Sequence, residues 1–242
     1  MMNKLQILVQ GELLRLRRYN LFAASIFVSA IWVGILHFLN VENVTNIVPQ
    51  LIFLDVTTMA TLLVGVTFIY EREESTIRTL LVSPISKNQY LLGKIISNII
   101  PSILSLTIMY VYSKLFKTIE INYFLLLGAV ILVSFFHSLI GILLTYFTKD
   151  FTGLVMAIMT IFIIFLLPVI LVEFNVITSE IFSKLTYILP TKSALMLIMG
   201  TTGTTHGWEI LVSLTYLILG SIVLYFIVLK NFNSYALRES GE

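Results

Sequence analysis

Six long apolar runs, separated by short polar connections, constrain this chain more than any other feature of its sequence. The runs cover residues 21–39, 49–70, 95–116, 123–147, 151–172 and 210–229. Each approaches or exceeds the roughly 20 residues that a helix needs to cross a bilayer core about 30 Å thick. Only Asp55 and Lys114 carry a full charge within them. The sequence therefore predicts an all-α membrane protein with six transmembrane helices, and residues 1–242 are interpreted as a single transmembrane domain.

Composition and missing motifs exclude several classes of function. Of the residues, 58% are apolar and 12% are charged, whereas soluble domains carry about 25% charged residues. A net charge of +2 gives no reason to expect a nucleic-acid partner. The absence of cysteine excludes disulfides and thiolate metal sites, and no phosphate-binding G-x-x-x-x-G-K-[ST] motif occurs. We expect no ATPase site, no metal and no cofactor on this chain.

The basic residues predict how the chain is oriented. Six spans place both termini on one side of the membrane, and 11 lysines and arginines lie in the segments on that side, against 4 on the other. The 11 are Lys4, Arg15, Arg17, Arg18, Arg72, Arg78, Lys87, Lys94, Lys149, Lys230 and Arg238, and the 4 are Lys114, Lys117, Lys184 and Lys192. Because basic residues are enriched in cytoplasmic segments, we expect both termini to be cytoplasmic.

The connection between the second and third spans predicts a short helix at the cytoplasmic surface. Ser75 or Thr76 can cap such a helix, Pro84 ends it, and Ser86 with Gln89 has the spacing of a capping box that opens the next helix. The helix either rests on lipid headgroups or docks a cytoplasmic partner. In the second interpretation the coupling residues are Glu71, Glu73, Glu74, Ser75, Thr76, Arg78 and Thr79.

Residues 68–94, FIYEREESTIRTLLVSPISKNQYLLGK, resemble the signature of ABC-2 type transporter permeases. The matching elements are Glu71-Arg72-Glu73, Thr76, Leu80-Leu81, Ser83-Pro84 and the run from Tyr90 to Lys94. The chain departs from that pattern at Ser75, where glycine is common. The resemblance implies an amphipathic helix before the six spans, which Lys4–Arg18 fits, and two short outer helices before the sixth, which residues 173–208 fit.

The resemblance also implies a function. Such a chain is the permease subunit of an ABC exporter in a bacterial cytoplasmic membrane. It works with two ATP-binding subunits, which carry the ATP and Mg, and with a second permease, most simply a copy of itself. An apolar path would suit an amphipathic peptide of the phenol-soluble-modulin kind or a drug. A permease for polysaccharide or lipid-linked polymer, and a membrane scaffold or sensor without transport activity, remain alternatives.

A few side chains are candidates for the substrate path or its gate. Asp55, His37 and Lys114 lie at comparable depths in the outer half of their spans. They predict either a structural pair, Asp55–Lys114 or Asp55–His37, or a polar ring around the path, since intramembrane charges face protein or water. Phe53 and Met59 could line an apolar pocket. Pro190 would be the hinge of two outer helices, residues 178–189 and 191–199, that re-enter the membrane and close the path.

Overall fold

The computed structural model describes residues 4–77 and 84–236, and within these residues it is helical with no strand. The helices are α1 (Lys4–Arg18), α2 (Leu21–Phe38), α3 (Ile47–Glu73), α4 (Lys87–Phe116), α5 (Tyr123–Thr145), α6 (Phe151–Glu173), α7 (Glu180–Thr186), α8 (Pro190–Met199) and α9 (Gly207–Ala236). Six of them, α2 to α6 and α9, are long and apolar enough to cross a membrane. The predicted all-α fold with six spans is thereby confirmed.

The central helices of the bundle are α3 and α5. Within their most apolar stretches 78% and 61% of the residues are buried, against 17% for each of α2, α6 and α9. The peripheral helices expose large apolar side chains such as Phe27, Ile163 and Phe226. This distribution suits a bundle in lipid, because apolar side chains at its surface are already in an apolar solvent.

Small and polar residues allow the central helices to approach closely. A Cβ atom added at Gly141 of α5 would lie 2.6 Å from Val64 Cγ1 and closer still to the Thr61 carbonyl oxygen. Beside this contact, the Asn98 amide of α4 donates to Ala60 O and Ser138 Oγ, both at 2.8 Å. Without water, such polar groups must find partners inside the bundle, so these bonds fix the helices relative to one another.

Both described ends of the chain lie at the same end of the bundle, here named the terminus-bearing end. Tyr235, near the end of α9, donates to the Phe68 carbonyl at 3.3 Å, and Phe68 lies in the last turns of α3. Ser86 and Gln89 form the predicted capping box in this region, with bonds of 3.2 and 3.1 Å, so α4 begins where the sequence places it. The other end is named the opposite end.

The close approach at Gly141 predicts opposite effects for two substitutions in α5. Gly141→Ala should destabilise the protein by about 1–3 kcal/mol, because the added methyl has no room. Gly128→Ala is the matched control, since nothing lies within 4 Å of the added methyl. It should stabilise the helix by about 0.5–1 kcal/mol. Thermal unfolding of the detergent-solubilised variants measures both, and equal melting midpoints would contradict the packing.

Candidate functional site

The sequence predicts coupling charges at the connection from α3 to α4, and the structure places them at two different depths. Glu73, Glu74 and Ser75 are exposed and Thr76 is half-buried. Glu71 is instead fully buried, so the expectation that it is a surface charge was wrong. Arg78 and Thr79 lie outside the described residues, together with most of the predicted coupling helix.

Glu71 is the centre of a buried ion network that joins α1, α3 and α4. Its carboxylate contacts the Arg15 guanidinium, lies 2.8 Å from Lys94 Nζ and accepts a hydrogen bond from the Tyr90 hydroxyl. Lys94 Nζ is also 2.8 Å from one Glu12 oxygen, and Arg15 is 2.9 Å from the other. Two carboxylates therefore face two cations, and the network is electrically balanced.

Burial makes each member of this network dependent on the others. Glu71 is 0% exposed and Lys94 is 2% exposed, so neither group can exchange its partner for water. Breaking a buried pair by removing one member typically costs about 3–5 kcal/mol, because the remaining charge is left uncompensated. The network therefore holds α1 and the adjoining ends of α3 and α4 together as one unit.

Arg72, the next residue of α3, extends this unit to the remaining elements at the terminus-bearing end. Its guanidinium donates to the Thr148 carbonyl at 3.0 Å and to the Lys149 carbonyl, both in the turn from α5 to α6. The guanidinium also lies over the Tyr235 ring of α9, at 5.4 Å from the ring centre. Two adjacent residues of α3 thus contact α1, α4, α9 and the α5–α6 turn.

The exposed residues that follow α3 contact the turn between α1 and α2. Tyr19, between α1 and α2, packs edge-on against Tyr70 with ring centres 5.0 Å apart. Burial, together with a hydrogen bond to Glu74, raises the pKa of Tyr19 to about 12. The phenol therefore keeps its proton at neutral pH and remains a donor to Glu74.

Ser75 occupies the sharp turn that follows α3. Its φ angle is 56°, in the left-handed region that glycine adopts without strain and other residues rarely do. This geometry explains why glycine suits this position of the resembled signature. Serine keeps the turn here at a conformational cost.

Sequence reasoning missed most of the network. The sequence places Tyr90 and Lys94 only within the resembled signature and gives Glu12 no role. One signal was available, because Glu12 is the single acidic residue in an otherwise basic helix and Lys94 directly precedes an apolar run. Pairing across 82 positions in the chain is visible only in the folded structure.

The predicted polar ring in the outer half of the spans does not form. Asp55 is buried and is hydrogen-bonded by Ser105 and by Trp32 Nε1, the latter at 3.0 Å. His37 and Lys114 are exposed; His37 pairs with the Tyr112 hydroxyl at 2.8 Å, and Lys114 donates to a backbone carbonyl. The expected Asp55–Lys114 and Asp55–His37 pairs are therefore wrong, because Trp32 and Ser105 supply the donors that Asp55 needs.

Two of the other candidates line apolar cavities. Phe53 is buried and borders a cavity of about 270 Å³ between α3, α6 and α8, and Glu173 is the charged side chain in its wall. Pro190 borders a larger cavity, of about 680 Å³, between α5, α6 and α9. Met59 is half-buried. Across the described residues no group of three His, Asp or Glu side chains could hold a metal ion.

The two short helices before α9 differ in burial. Residues 191–199 of α8 are all buried, whereas α7 exposes Ile181 and Leu185. Pro190 is the first residue of α8. The next residue, Thr191, donates to the Phe165 carbonyl within a π-helical turn of α6, Phe162–Leu166.

Two polar contacts lie at the N-terminal end of α8. Lys192 is 5% exposed and lies 3.7 Å from Glu173 at the end of α6. Tyr187, before α8, donates to Glu209 in the first turn of α9, and burial together with this hydrogen bond raises the pKa of Tyr187 to about 12. Polar contacts therefore connect α8 and the residues just before it to both flanking spans, α6 and α9.

The family model for ABC-2 family transporter proteins matches residues 37–230. The chain belongs to this family. Members of the ABC-2 family are membrane subunits that have no ATPase of their own, and the family implies an ATP-binding partner subunit. The match includes Glu71 and Lys94 but not Glu12 and Arg15 of the network. A comparison with curated proteins finds no match.

The buried network of this ABC-2 protein predicts a large effect from removing one cation. Lys94→Met leaves Glu12 and Glu71 with a single cation and should lower the free energy of unfolding by about 3–5 kcal/mol. Because Glu12→Gln removes the matching negative charge, the double variant should lose less than the sum of the two single losses. Strictly additive losses would contradict the pairing. Lys184→Met, which breaks an exposed pair with Glu180, is the control and should melt almost like the wild type.

The difference between α7 and α8 predicts which positions a thiol reagent reaches. Cysteine can be placed singly because the natural chain contains none. Leu195→Cys, at a position 2% exposed, should resist a membrane-impermeant maleimide, whereas Leu185→Cys, at a position 56% exposed, should react. Labelling of intact cells followed by a gel-shift assay measures both. Equal labelling of the two positions would show that α8 does not stay buried.

Proposed function

We propose that this chain is the permease subunit of an ATP-driven exporter that moves an amphipathic or hydrophobic substrate out of a bacterial cell. Two copies of the chain would work with two copies of an ATP-binding subunit, with both termini in the cytoplasm. The main support for the proposal is the unit that the buried ion network forms with Arg72 at the terminus-bearing end. This unit lies directly beneath the start of the α3–α4 connection, residues Glu73 to Thr76. Family membership supports the ATP-binding partner.

The unit explains how a force at this connection would reach the spans. The partner would bind at the surface that contains Glu73 and Glu74. A displacement there would move the end of α3. The ion pairs of Glu71 would transmit this movement to α1 and α4, because breaking a buried ion pair costs free energy. Arg72 passes it to the α5–α6 turn and to α9. The cytoplasmic ends of the spans would therefore move together.

The substrate class is inferred from the two apolar cavities. Both are lined predominantly by apolar side chains, with Phe53 in one and Pro190 in the other, which suits an amphipathic peptide or an apolar drug more than a polysaccharide. Asp55, buried on α3 beside Trp32 and Ser105, is a candidate to face the path when the helices separate. The buried helix α8 would then be the outer closure of that path.

Charge reversal at the exposed connection tests the proposal. Glu73→Lys combined with Glu74→Lys should reduce co-purification of the ATP-binding subunit by about tenfold or more, since like charges across an interface cost several kcal/mol. The amount of permease in the membrane should not change, because both side chains are exposed. The matched control is Glu42→Lys with Glu120→Lys, which reverses two exposed charges at the opposite end.

Transport is measured with the reconstituted complex in inside-out vesicles. ATP-dependent accumulation of a fluorescent amphipathic peptide should occur with the wild type and the control and should fall with the Glu73/Glu74 variant in proportion to lost capture. Undiminished co-purification of the ATP-binding subunit with the Glu73/Glu74 variant would refute docking at this surface. Intact capture with no ATP-dependent movement of peptide or apolar drug would refute the substrate class.

A further inference from the structure

The cavity between α3, α6 and α8 combines apolar walls with one carboxylate at the end of a span. Among the described residues that line it, Glu173 alone is charged, and Gln50 is the other polar one. Glu173 is the last residue of α6. Phe53 and Leu54 lie about two helical turns further into α3 than Ile47, and all three line the cavity. The cavity therefore extends from an acidic end into the apolar part of the bundle.

The size of this cavity suits one apolar group. Its volume is about 270 Å³, close to the lower limit of the range of about 300–1,000 Å³ that is common for small-molecule sites. A whole amphipathic peptide would not fit, but an aromatic ring or a short aliphatic chain would. Burial of that group against the apolar walls would supply the attraction.

The carboxylate of Glu173 is held only loosely by its partner. Lys192 Nζ lies 3.7 Å from Glu173 Oε2, which is longer than the 2.7–3.2 Å of a typical N–H···O hydrogen bond. The Glu173 side chain is 24% exposed, whereas that of Lys192 is 6% exposed. Lys192 Nζ also lies over the Tyr187 ring, at 5.5 Å from its centre, and this contact stabilises an ammonium by itself. Glu173 thus has room for a second cation, and Lys192 has a second partner.

The position of this ion pair decides which sign of charge the cavity favours. Of its two members, only Glu173 lines the cavity. A ligand that fills the apolar part therefore meets the carboxylate and not the ammonium. A cationic group at that end would form a charge-assisted hydrogen bond with Glu173, whereas an anionic group would be repelled.

We propose that this cavity is a binding site for a small amphipathic cation. The apolar group would lie against Phe53 and Leu195, and a primary ammonium would donate to Glu173 in competition with Lys192. The proposal narrows the ligand from any amphipathic molecule to one that carries positive charge, such as an amine drug or a basic residue of a peptide beside an apolar one. That the bound cation is also the exported substrate rests on the proposed function, whereas binding itself does not.

Protection of a single thiol measures this binding. Gln50→Cys places one cysteine in the cavity wall of a chain that naturally has none. The full-length protein in detergent is modified with a small uncharged thiol reagent in the presence of phenylbutylamine, phenylbutanol or phenylbutyrate. These ligands share an apolar group and differ in charge. The amine should halve the modification rate at about a tenfold lower concentration than the alcohol, because its ammonium can form a charge-assisted hydrogen bond with Glu173. Phenylbutyrate should protect least.

Three further substitutions in the Gln50→Cys background assign the effect to residues. Glu173→Gln keeps the shape of the side chain and should make the amine and the alcohol protect at equal concentrations. Glu180→Gln is the matched control, because it removes an exposed carboxylate on α7 and should retain the tenfold difference. Lys192→Met removes the competing ammonium and should lower the protecting concentration of the amine but not that of the alcohol. Size-exclusion elution like that of the wild type establishes that each variant is folded.

Four outcomes would overturn the proposal. Equal protection by the amine and the alcohol with Glu173 in place would remove the preference for a cation. A preference that persists in the Glu173→Gln variant would remove this residue from the site. An unchanged response of the Lys192→Met variant would remove the competition, and protection by phenylbutyrate as good as by the amine would indicate a site for anions at Lys192. The assay contains neither ATP nor an ATP-binding subunit, so these results leave the transport proposal untouched, and failure of transport would leave the binding result untouched.

Discussion

The structure of the terminus-bearing end depends on one carboxylate, that of Glu71, which cannot be left unpaired inside an apolar bundle. Glu71 is fully buried, and it is compensated only because Arg15 and Lys94 reach it from two other helices. This requirement recruits α1, which contributes no span of its own, into the bundle. It also joins the exposed connection above Glu71 to the helices below it, which is the arrangement that the proposed coupling role needs.

The middle of the bundle depends on the same principle with uncharged groups. Asn98 bonds to Ser138 and to the Ala60 carbonyl, and Ser102 lies 3.1 Å from Ser134. Small hydroxyl residues let helices approach while their polar atoms remain paired. Asp55 is satisfied in a similar way, because Trp32 and Ser105 donate to it inside the protein. A helix that moves must exchange such bonds, so the polar positions are where two discrete arrangements could differ.

The two ends of the bundle are held together in different ways. The terminus-bearing end is joined by a dense ion network, whereas the opposite end contains α8, a buried apolar helix whose Lys192 lies 3.7 Å from Glu173. Thr191 of this helix is bonded to a π-helical turn of α6 that precedes Pro168. A break in regular hydrogen bonding is a place where a helix bends at low cost. The terminus-bearing end is thus joined mainly by ion pairs, and the opposite end mainly by apolar packing.

The sequence by itself determined the six spans, the start of α4 and the family, because these depend on runs of adjacent residues: apolar length, capping spacing and a local signature. It also placed Lys4–Arg18 in a helix. Only the tertiary structure decided which charges are paired. Glu71 reads as a surface residue in an acidic cluster, yet it is buried, and Asp55 pairs with Trp32 in place of Lys114. Which partners meet depends on how far each helix is rotated and shifted against its neighbours, and that is decided by packing between residues far apart in the chain.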